Sequence, residues 1–348
     1  MDIRPYAPIS AIQRLHGNGE QGDPLPLMHT LPQDVQDQIS RYVRKPDRYM
    51  SLASAVLKRL FIHRTAKIAW SDIQISKTPK PHSRPYWQPP KDWSGKGYQG
   101  LEFNVSHQAG LVVLVGCKTP SPPRDAVVND QSEINVCTPA VINPDPNAVL
   151  EAESEIDHGE PEAVRIGIDV ACTKEPPRTP DLSTQAKLEE WVDVFGEMFS
   201  MREQYDMKHA ALPELDGTNE LEQKARRFYT YWALKEAYIK MVGEGLLAPW
   251  LRELEFRDVP VPDRGNRKDD SWTLMPVEDT QQLKVLFKNR NISHTMQTTL
   301  EAFEETFLVA TMTRGVKHQP VDGPRWERIN MFDDVELCAT GGCHCLDY

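Results

Sequence analysis

One segment of the chain, residues 119–162, is poorly suited to a packed core. It contains ten acidic residues, one basic residue and seven prolines, and it has no phenylalanine, tyrosine or tryptophan. Such a segment has too little bulky apolar surface to offset the entropy lost when a chain becomes ordered. We therefore predict a disordered acidic insertion, which separates an N-terminal half, residues 1–118, from a C-terminal half, residues 163–315. A tail follows at residues 316–348.

The insertion also accounts for most of the net charge of −11. Its own balance is −9, and the remaining 41 acidic and 39 basic residues leave −2 for the rest of the chain. Because charge acts locally, the overall acidity says little about a binding site. A near-neutral remainder without a basic, aromatic-rich stretch argues against a nucleic-acid partner.

Signals for membrane insertion and secretion are missing from the sequence. No apolar run approaches the roughly 18 residues of a membrane-spanning helix, and the start of the chain has no apolar stretch of signal-peptide length. The six cysteines are scattered and do not form the disulfide framework of a small secreted domain. We expect a cytoplasmic protein without a membrane partner.

Hydrophobic spacing predicts helices and strands in both halves. Apolar residues recur at helical spacing over residues 48–64, and β-branched runs at 111–116 and 165–171 favour strands. Further helices are predicted at residues 184–198, 201–209 and 219–242, and further strands at 254–257, 272–274, 295–301 and 307–313. Helices combined with short strands of this kind favour an α+β fold over a doubly wound sheet.

The longest predicted helix carries three charged residues among aromatic and aliphatic ones. Asn219 can cap its start, and Gly243 can end it. Glu236 and Lys240 lie one turn apart on the same face, and Lys235 lies about 100° round from Glu236. A carboxylate between two ammonium groups suits a metal-bound polyphosphate. An exposed stripe of ordinary Glu–Lys salt bridges would show the same pattern.

Two shorter motifs accompany this helix. Asp169 lies inside the predicted strand 165–171, where aspartate is unfavourable and commonly serves a metal, a cap or a turn. Asn104, Ser106 and His107 precede the apolar run 111–115. A Ser-His pair of this kind is also common in a capped loop.

Together, these motifs resemble those of the Sfp-type 4′-phosphopantetheinyl transferases, and most closely their fungal members. The shared elements are Asn-x-Ser-His at 104–107, Gly-Ile-Asp at 167–169, Trp-x-x-Lys-Glu-x-x-x-Lys at 232–240 and Gly-x-Gly-Leu at 243–246. The resemblance covers residues 41–117 and 163–247, with a looser strand pattern to about residue 313. It implies a monomer of two similar α+β halves, related by a pseudo-twofold axis, each with helices packed on a small antiparallel sheet. Coenzyme A would lie in the cleft between them.

The resemblance also implies a reaction. Enzymes of this family transfer the phosphopantetheine arm of coenzyme A to a serine of acyl or peptidyl carrier domains, and 3′,5′-ADP leaves. The implied carriers belong to polyketide synthases, nonribosomal peptide synthetases, fatty-acid synthase or aminoadipate reductase.

Four residues match the family's catalytic centre. Asp169 and Glu236 match its ligands for Mg²⁺, for which Mn²⁺ could substitute. Lys235 and Lys240 match its phosphate-binding lysines, with Lys235 nearest the reacting pyrophosphate. Bacterial members often have a second acid where this chain has Ala171. The change leaves open whether Glu236 or a metal-bound water removes the serine proton.

Nucleotide contacts are implied for the N-terminal half. Ser106 and His107 match the pair that reaches the nucleotide phosphate in the family. The other residues at matching positions are Lys45, Arg48, Ser51 and Arg84. The basic cluster that includes Lys45 and Arg48 would suit a solvated helix start equally well.

A further family element, Phe-Ser-x-x-Glu, is matched at residues 199–203. Glu203 could orient a lysine, support the metal site or take part in a helix cap. Residues nearby that could meet an acidic carrier domain are Met198, Met201, Arg202, Met207 and Lys208. Core packing suits at least two of the three methionines.

The tail contains a small group of soft ligands, namely Cys338, Cys343, His344 and Cys345. Their Cys-x-x-x-x-Cys-His-Cys spacing is not a standard zinc pattern, and nothing nearby in the sequence suggests a folded support. We expect a flexible tail without a metal.

Two other functions share the same motifs. A protein that binds coenzyme A or carrier domains without transferring the arm is suggested by Ala171, although the retention of Asp169 and Glu236 argues against it. A pyrophosphatase or nuclease would use Asp169 and Glu236 as generic metal ligands.

Overall fold

The computed structural model describes residues 1, 25–79, 84–120, 163–175, 180–211, 219–245, 248–263, 272–274, 282–316 and 326–347. The predicted insertion therefore lies outside the described residues, except that Thr119 and Pro120 belong to a strand. Leu246 of the Gly-x-Gly-Leu motif also lies outside them.

The described residues of the N-terminal half form two α-helices and two antiparallel strand pairs. Helix α1 spans Gln33–Ser40 and α2 spans Lys45–Ala66, which confirms the helix predicted at 48–64. The strands are β1 (Gln74–Lys77), β2 (Pro85–Gln88), β3 (Tyr98–Gln108) and β4 (Leu111–Pro120). β1 pairs with β2, and β3 pairs with β4. The tight β3–β4 turn places Ala109 and Gly110 at positive φ.

In the C-terminal half, the part that the structure describes contains three α-helices and two sheets. The helices are α3 (Gln185–Val194), α4 (Met201–His209) and α5 (Glu220–Val242). One sheet has the order β5-β11-β10-β7, formed by Arg165–Cys172, Phe307–Arg314, Gln297–Phe303 and Trp272–Leu274. The other has the order β6-β8-β9, formed by Leu254–Arg257, Lys284–Phe287 and Arg290–Asn291. All pairings in the described part of the chain are antiparallel, so the predicted α+β class is confirmed.

Helix α5 begins and ends where the sequence predicts. The Asn219 side chain accepts a hydrogen bond from the Leu221 N–H at 2.9 Å. At the other end Gly243 adopts a φ of 85°, and its N–H bonds to the Ile239 carbonyl at 2.8 Å. The left-handed conformation there is easily reached by glycine, which lacks a Cβ.

Helix α5 lies directly on β5 because Gly167 has no side chain. A Cβ at Gly167 would come within 1.9 Å of the Ala237 carbonyl oxygen and 2.5 Å of the Met241 backbone nitrogen. Alternate residues of a strand share a face, so Asp169 and Ala171 point to the same side as Gly167. The close approach therefore places Asp169 against α5.

The two halves meet along β3 and β5 through side chains. Four side chains of β3 accept hydrogen bonds from backbone N–H groups of β5. The pairs are Glu102 with Ile166 at 3.3 Å, Asn104 with Ile168 at 3.4 Å, Ser106 with Val170 at 3.2 Å, and Gln108 with Cys172 at 3.0 Å. Every second residue of each strand takes part, because successive side chains of a strand point to opposite faces. This arrangement, which we call the side-chain seam, fixes the register of one half against the other.

The tail is folded where the structure describes it, so the expectation of a flexible tail is wrong for residues 326–347. A π-helical turn, Met331–Glu336, continues into the short helix α6, Leu337–Thr340. Met331, Val335 and Cys338 are buried in a core that includes residues of α2. The apolar side chains of the tail therefore pack against α2.

No helix in the described part of the chain is long and apolar enough to cross a membrane.

Candidate active site

Asp169 lies where β3, β5 and α5 meet. Its Oδ1 accepts a hydrogen bond from the Ser106 hydroxyl at 2.8 Å and one from the Lys240 ammonium at 2.7 Å. Lys240 also donates to Ser106 Oγ at 2.9 Å. The Asp169 side chain is 8% exposed and that of Lys240 is 27% exposed. The structure thus brings three predicted site residues together at the edge of the side-chain seam.

Glu236 lies one turn before Lys240 on α5. Its Oε1 is buried and has no hydrogen-bond partner among the described residues. Burial, reinforced by the charge of Asp169, raises the pKa of Glu236 to about 7, although Lys240 acts in the opposite direction. A buried carboxylate oxygen beside a second carboxylate is unfavourable unless it meets a proton or a cation. The pair Asp169 and Glu236 therefore fits a divalent cation with hard oxygen ligands.

His107 lies in a positively charged environment on the N-terminal side of the site. Its ring is exposed to solvent yet surrounded by enough protein to be partly desolvated. This desolvation lowers the pKa of His107, and the charges of Lys240 and Lys58 lower it further, whereas Asp47 opposes them. Lys58, on α2, and Lys240, on α5, therefore face the same histidine.

Lys58 is a residue that the sequence reasoning missed. Burial, and then the charges of Lys77 and Arg59, lower the pKa of Lys58 to about 8. Among the described residues it has no carboxylate partner. A half-buried ammonium without a counter-charge carries a desolvation cost, so this position favours an anionic ligand. The signal in the sequence was only a lysine within an apolar helix, which snorkelling to solvent would also explain.

The structure corrects the prediction for Lys235. Its side chain is 0% exposed, and its Nζ lies 2.9 Å from Glu203 Oε2, which is also fully buried. The ammonium donates in addition to the carbonyls of Leu251, at 2.9 Å, and Leu254. All three donors of the ammonium group are used. Lys235 is therefore not available to a pyrophosphate, and its role is to join α5 to α4 and β6.

Glu203 combines two of the three roles considered for it. Its Oε2 accepts a hydrogen bond from the Ser200 N–H at 2.7 Å, and the Ser200 hydroxyl accepts one from the Glu203 N–H at 3.2 Å, which forms a capping box at the start of α4. Its Oε1 accepts the Phe256 N–H at 2.8 Å. Burial raises the pKa of Glu203 and lowers that of Lys235, and the attraction between the two charges opposes both shifts.

Arg84 lies between the halves. Its guanidinium forms an ion pair with Glu102 and donates to the carbonyls of Ile166 at 3.0 Å and Met241 at 3.1 Å. These bonds tie the start of β2 to β5 and α5. Contact between Arg84 and a nucleotide stays a prediction.

The remaining predicted nucleotide residues lie on the first turns of α2. Lys45 is exposed, with its Nζ 5.8 Å from the centre of the Tyr49 ring. Arg48 is half-buried and donates from Nε to the Tyr42 carbonyl at 2.5 Å. Ser51 is also half-buried. The structure therefore leaves the Lys45 ammonium accessible and engages Arg48 through one nitrogen.

The position of the missing second acid is fully buried. Ala171 is 0% exposed and belongs to the core formed with α5. A methyl group fits this packing, whereas a charged side chain would need a cation or a hydrogen-bond partner there.

Comparison with known proteins places this chain in a family. Residues 21–119 match the N-terminal region of 4′-phosphopantetheinyl transferases, and residues 165–280 match the 4′-phosphopantetheinyl transferase superfamily. A relative named 4′-phosphopantetheinyl transferase A, from Aspergillus fumigatus, is 38% identical over 92% of this chain and 91% of its own length. The relative named 4′-phosphopantetheinyl transferase NpgA, from Emericella nidulans, is 35% identical over the same shares. A mouse relative named L-aminoadipate-semialdehyde dehydrogenase-phosphopantetheinyl transferase is 22% identical over 89% of this chain and 74% of its own length.

The chain belongs to the 4′-phosphopantetheinyl transferase superfamily. The predicted resemblance to its fungal members is confirmed, and so is the predicted enzyme class.

Proposed function

We propose that this protein transfers the 4′-phosphopantetheine group of coenzyme A to a serine hydroxyl of an apo acyl or peptidyl carrier domain. In this reaction a bond forms between the serine oxygen and the β-phosphorus, the bond from that phosphorus to the bridging oxygen breaks, and 3′,5′-ADP leaves. The observation that carries the proposal is the pairing of Asp169 with Glu236, whose buried Oε1 lacks a partner among the described residues. The names of the relatives support the same substrate class.

The donor chemistry fits Mg²⁺, with Mn²⁺ as a substitute. Asp169 and Glu236 would hold the ion, which would neutralise charge that develops on the phosphate oxygens. Hard carboxylate oxygens suit either ion, and the orphaned oxygen of Glu236 offers a ligand atom that nothing in the described structure uses.

The protein side chains supply positioning and charge. Lys240 is held by both Ser106 and Asp169, so its ammonium has a fixed place beside the carboxylates. Fixed charges of this kind stabilise a phosphoryl transition state without reorganising. Glu236, with a pKa of about 7, can also take up a proton at neutral pH.

We also propose that coenzyme A lies in the cleft between two similar halves. Lys58 and Lys240 provide positive charge from both sides of the side-chain seam, and His107 faces both of them. Lys45, Arg48 and Ser51 lie on the same helix as Lys58, at its N-terminal end. The phosphates of a nucleotide would neutralise the positive charge of this region.

The carrier domain is proposed to dock on the exposed face of α4. Met201 is 76% exposed and Tyr205 is 56% exposed, whereas Met198 and Met207 pack in the core as expected for two of the methionines. Arg202 is exposed beside them and pairs with Asp206 at 3.1 Å. Met201→Glu should raise the KM for the carrier without changing the KM for coenzyme A. Phe332→Ala, an exposed apolar residue of the tail, is the matched control.

Intact mass spectrometry of an apo carrier domain tests the main proposal. The carrier should gain one phosphopantetheine group when it is incubated with the enzyme, coenzyme A and Mg²⁺. The gain should disappear without divalent metal and with Glu236→Gln, and it should persist with Glu190→Gln, an exposed carboxylate on α3. Coenzyme A binding without any mass gain on several unrelated carriers would instead support a non-catalytic binding protein, and hydrolysis of pyrophosphate without a carrier would support a hydrolase.

A separate measurement assigns the role of Glu236. Mg²⁺ binding to Glu236→Gln can be followed by calorimetry in the absence of a carrier. Loss of both binding and turnover is expected of a metal ligand. Retained binding with lost turnover would make Glu236 the base.

A further inference from the structure

Four soft ligand atoms converge where the tail packs on α2. They belong to His63, Cys338, Cys343 and Cys345, and all four atoms lie within 4.8 Å of one another. His63 and Cys338 are buried, and the other two cysteines are half-buried. The group lies between α2 of the N-terminal half and the tail, and it shares no residue with the carboxylates of the candidate active site.

The local fold brings the three cysteines together. Helix α6 ends at Gly341, which adopts a φ of 80°, and the N–H groups of Gly341 and Gly342 both bond to the Leu337 carbonyl. This C-cap reverses the chain, so the residues after it return to the helix. Cys338 Sγ and Cys345 Sγ are consequently 3.7 Å apart.

His63 completes the group from the last turn of α2. Its Nε2 lies 3.1 Å from Cys343 Sγ, and its Nδ1 lies 2.7 Å from the Ile68 carbonyl oxygen. Because a carbonyl only accepts, Nδ1 carries the proton and the lone pair of Nε2 faces the sulfurs. A second hydrogen bond that fixes the tautomer in this way is typical of a metal-ligating histidine.

The spacing of the atoms suits a tetrahedral ion. Zinc bonds of about 2.3 Å to sulfur and about 2.0 Å to nitrogen give tetrahedral edges of roughly 3.5 to 3.8 Å. The observed separations surround these values. A disulfide would need sulfurs about 2.05 Å apart and would join only two of the three thiols.

We propose that His63, Cys338, Cys343 and Cys345 bind one Zn²⁺ ion in a closed structural site. Three thiolates and one imidazole are ligands that zinc favours, and four protein ligands leave no open coordination position for catalysis. The ion would fasten residues 326–347 to the end of α2. A four-residue helix has too few hydrogen bonds to be stable alone, and the Arg64 ion pairs with Glu327 at 3.1 Å and Asp334 at 3.6 Å add little at the surface.

The proposed site differs from the group seen in the sequence, and it replaces the expectation of a tail without a metal with a proposal that can be tested. His344 is 90% exposed and bonds to Asp347 at 2.9 Å, so it points away from the cysteines. The histidine that takes its place is His63, which lies far earlier in the chain. No spacing rule within the tail could have revealed it.

Metal content of the full chain tests the proposal. The protein is purified under reducing conditions without chelator, and zinc is measured by elemental mass spectrometry. We expect about one zinc ion per chain. Replacement by Co²⁺ should give the ligand-field and sulfur-to-cobalt charge-transfer bands of a tetrahedral thiolate site.

Matched variants make the assignment specific. His63→Ala and Cys345→Ser should lose the zinc and the cobalt bands, whereas His344→Ala and Cys117→Ser should keep them. Circular dichroism checks that each variant is folded. If His63→Ala unfolds, the alternative test is hydrogen exchange of the wild-type tail before and after zinc chelation. Exchange at residues 326–347 should rise on chelation and recover with Zn²⁺ but not with Mg²⁺. Three results would each overturn the proposal. The wild-type protein could contain no zinc and show no cobalt bands, its zinc could depend on His344, or its mass could be two units lower because Cys338 and Cys345 form a disulfide.

Discussion

The Ser106 hydroxyl donates a hydrogen bond to Asp169 Oδ1 at 2.8 Å and accepts two others, from the Val170 N–H at 3.2 Å and from Lys240 Nζ at 2.9 Å. A hydroxyl has one donor and two acceptor positions, so all of its capacity is used. One side chain of the N-terminal half thereby fixes the carboxylate and the ammonium of the C-terminal half. A phosphate that contacts Ser106 would have to exchange for one of these partners.

Ser106→Ala should lower both stability and activity. The change leaves the buried Val170 N–H without a partner, which costs about 1–3 kcal/mol of unfolding free energy, and it frees Asp169 and Lys240 to move. Urea unfolding and carrier modification measure the two effects. Ser106→Thr should recover most of both because it keeps the hydroxyl. Ser76→Ala, whose hydroxyl bonds to Gln88 near the surface at 3.3 Å, should change neither. Wild-type values for Ser106→Ala would contradict the role given to this hydroxyl.

Removing either partner of the Lys235–Glu203 pair should destabilise the fold. Lys235→Met leaves a buried carboxylate uncompensated, and Glu203→Gln leaves a buried ammonium, each at a cost of about 3–5 kcal/mol. The midpoint of urea unfolding measures the loss. The double variant should lose less than the sum of the two, because neither charge is then left alone.

Lys240→Met distinguishes the role of Lys240 from that of Lys235, the other lysine of the motif on helix α5. Lys240 is partly exposed and Asp169 keeps its hydrogen bond from Ser106, so this variant should lower the midpoint less than Lys235→Met does and should lose activity. If Lys235→Met were as stable as wild type but impaired in coenzyme A binding, the structural role assigned to Lys235 would be wrong.

Mg²⁺ binding should weaken as pH falls below 7. Burial and the Asp169 charge raise the pKa of Glu236 to about 7, and a proton competes with the metal for the carboxylate. The apparent Mg²⁺ dissociation constant should rise about tenfold per pH unit below 7. Calorimetry from pH 5.5 to 8 measures it.

The metal-free protein should show the opposite trend in stability. A carboxyl whose pKa is raised on folding stabilises the folded state at low pH, and this contribution is lost as pH rises from about 4.5 through about 7. Glu301 must be separated from Glu236, because burial also raises the pKa of Glu301 to about 7. Glu301→Gln should leave the pH dependence of Mg²⁺ binding unchanged, whereas a dependence that follows Glu301 would refute the assignment to Glu236.

Lys58→Met should raise the KM for coenzyme A several-fold and increase stability slightly. Lys58 is half-buried and has no carboxylate partner among the described residues, so an uncharged side chain removes a desolvation cost in the free protein. Steady-state kinetics and urea unfolding test the two effects. Lys91→Met, at an exposed loop position, should be neutral, and a variant of Lys58 that binds coenzyme A normally would show that this charge serves another purpose.

The sequence predicted the elements of the fold well and the roles of individual charges less well. Capping at Asn219 and Gly243 and the periodicity of α2 are local properties, so they could be found without a structure. Lys235 and Lys240 both match the signature motif, and only packing shows that one meets Glu203 and the other Asp169. His63 and Lys58 belong to α2, where helical periodicity favours ordinary core or snorkelling positions. Their chemical partners come from distant parts of the chain, which no local pattern encodes.

Glu102 holds both ends of the connection between the halves. It is the β-sheet partner of Cys117, shortly before β4 ends, and its carboxylate accepts the Ile166 N–H at 3.3 Å near the start of β5. Arg84 clamps the same carboxylate. The described residues before and after positions 121–162 therefore lie near the same side chain, and the side-chain seam joins the two halves directly. A protein cut within residues 121–162 should accordingly reassemble from its two fragments, and it should do so less readily at low concentration than the intact chain, in which the covalent link raises the effective concentration of each half.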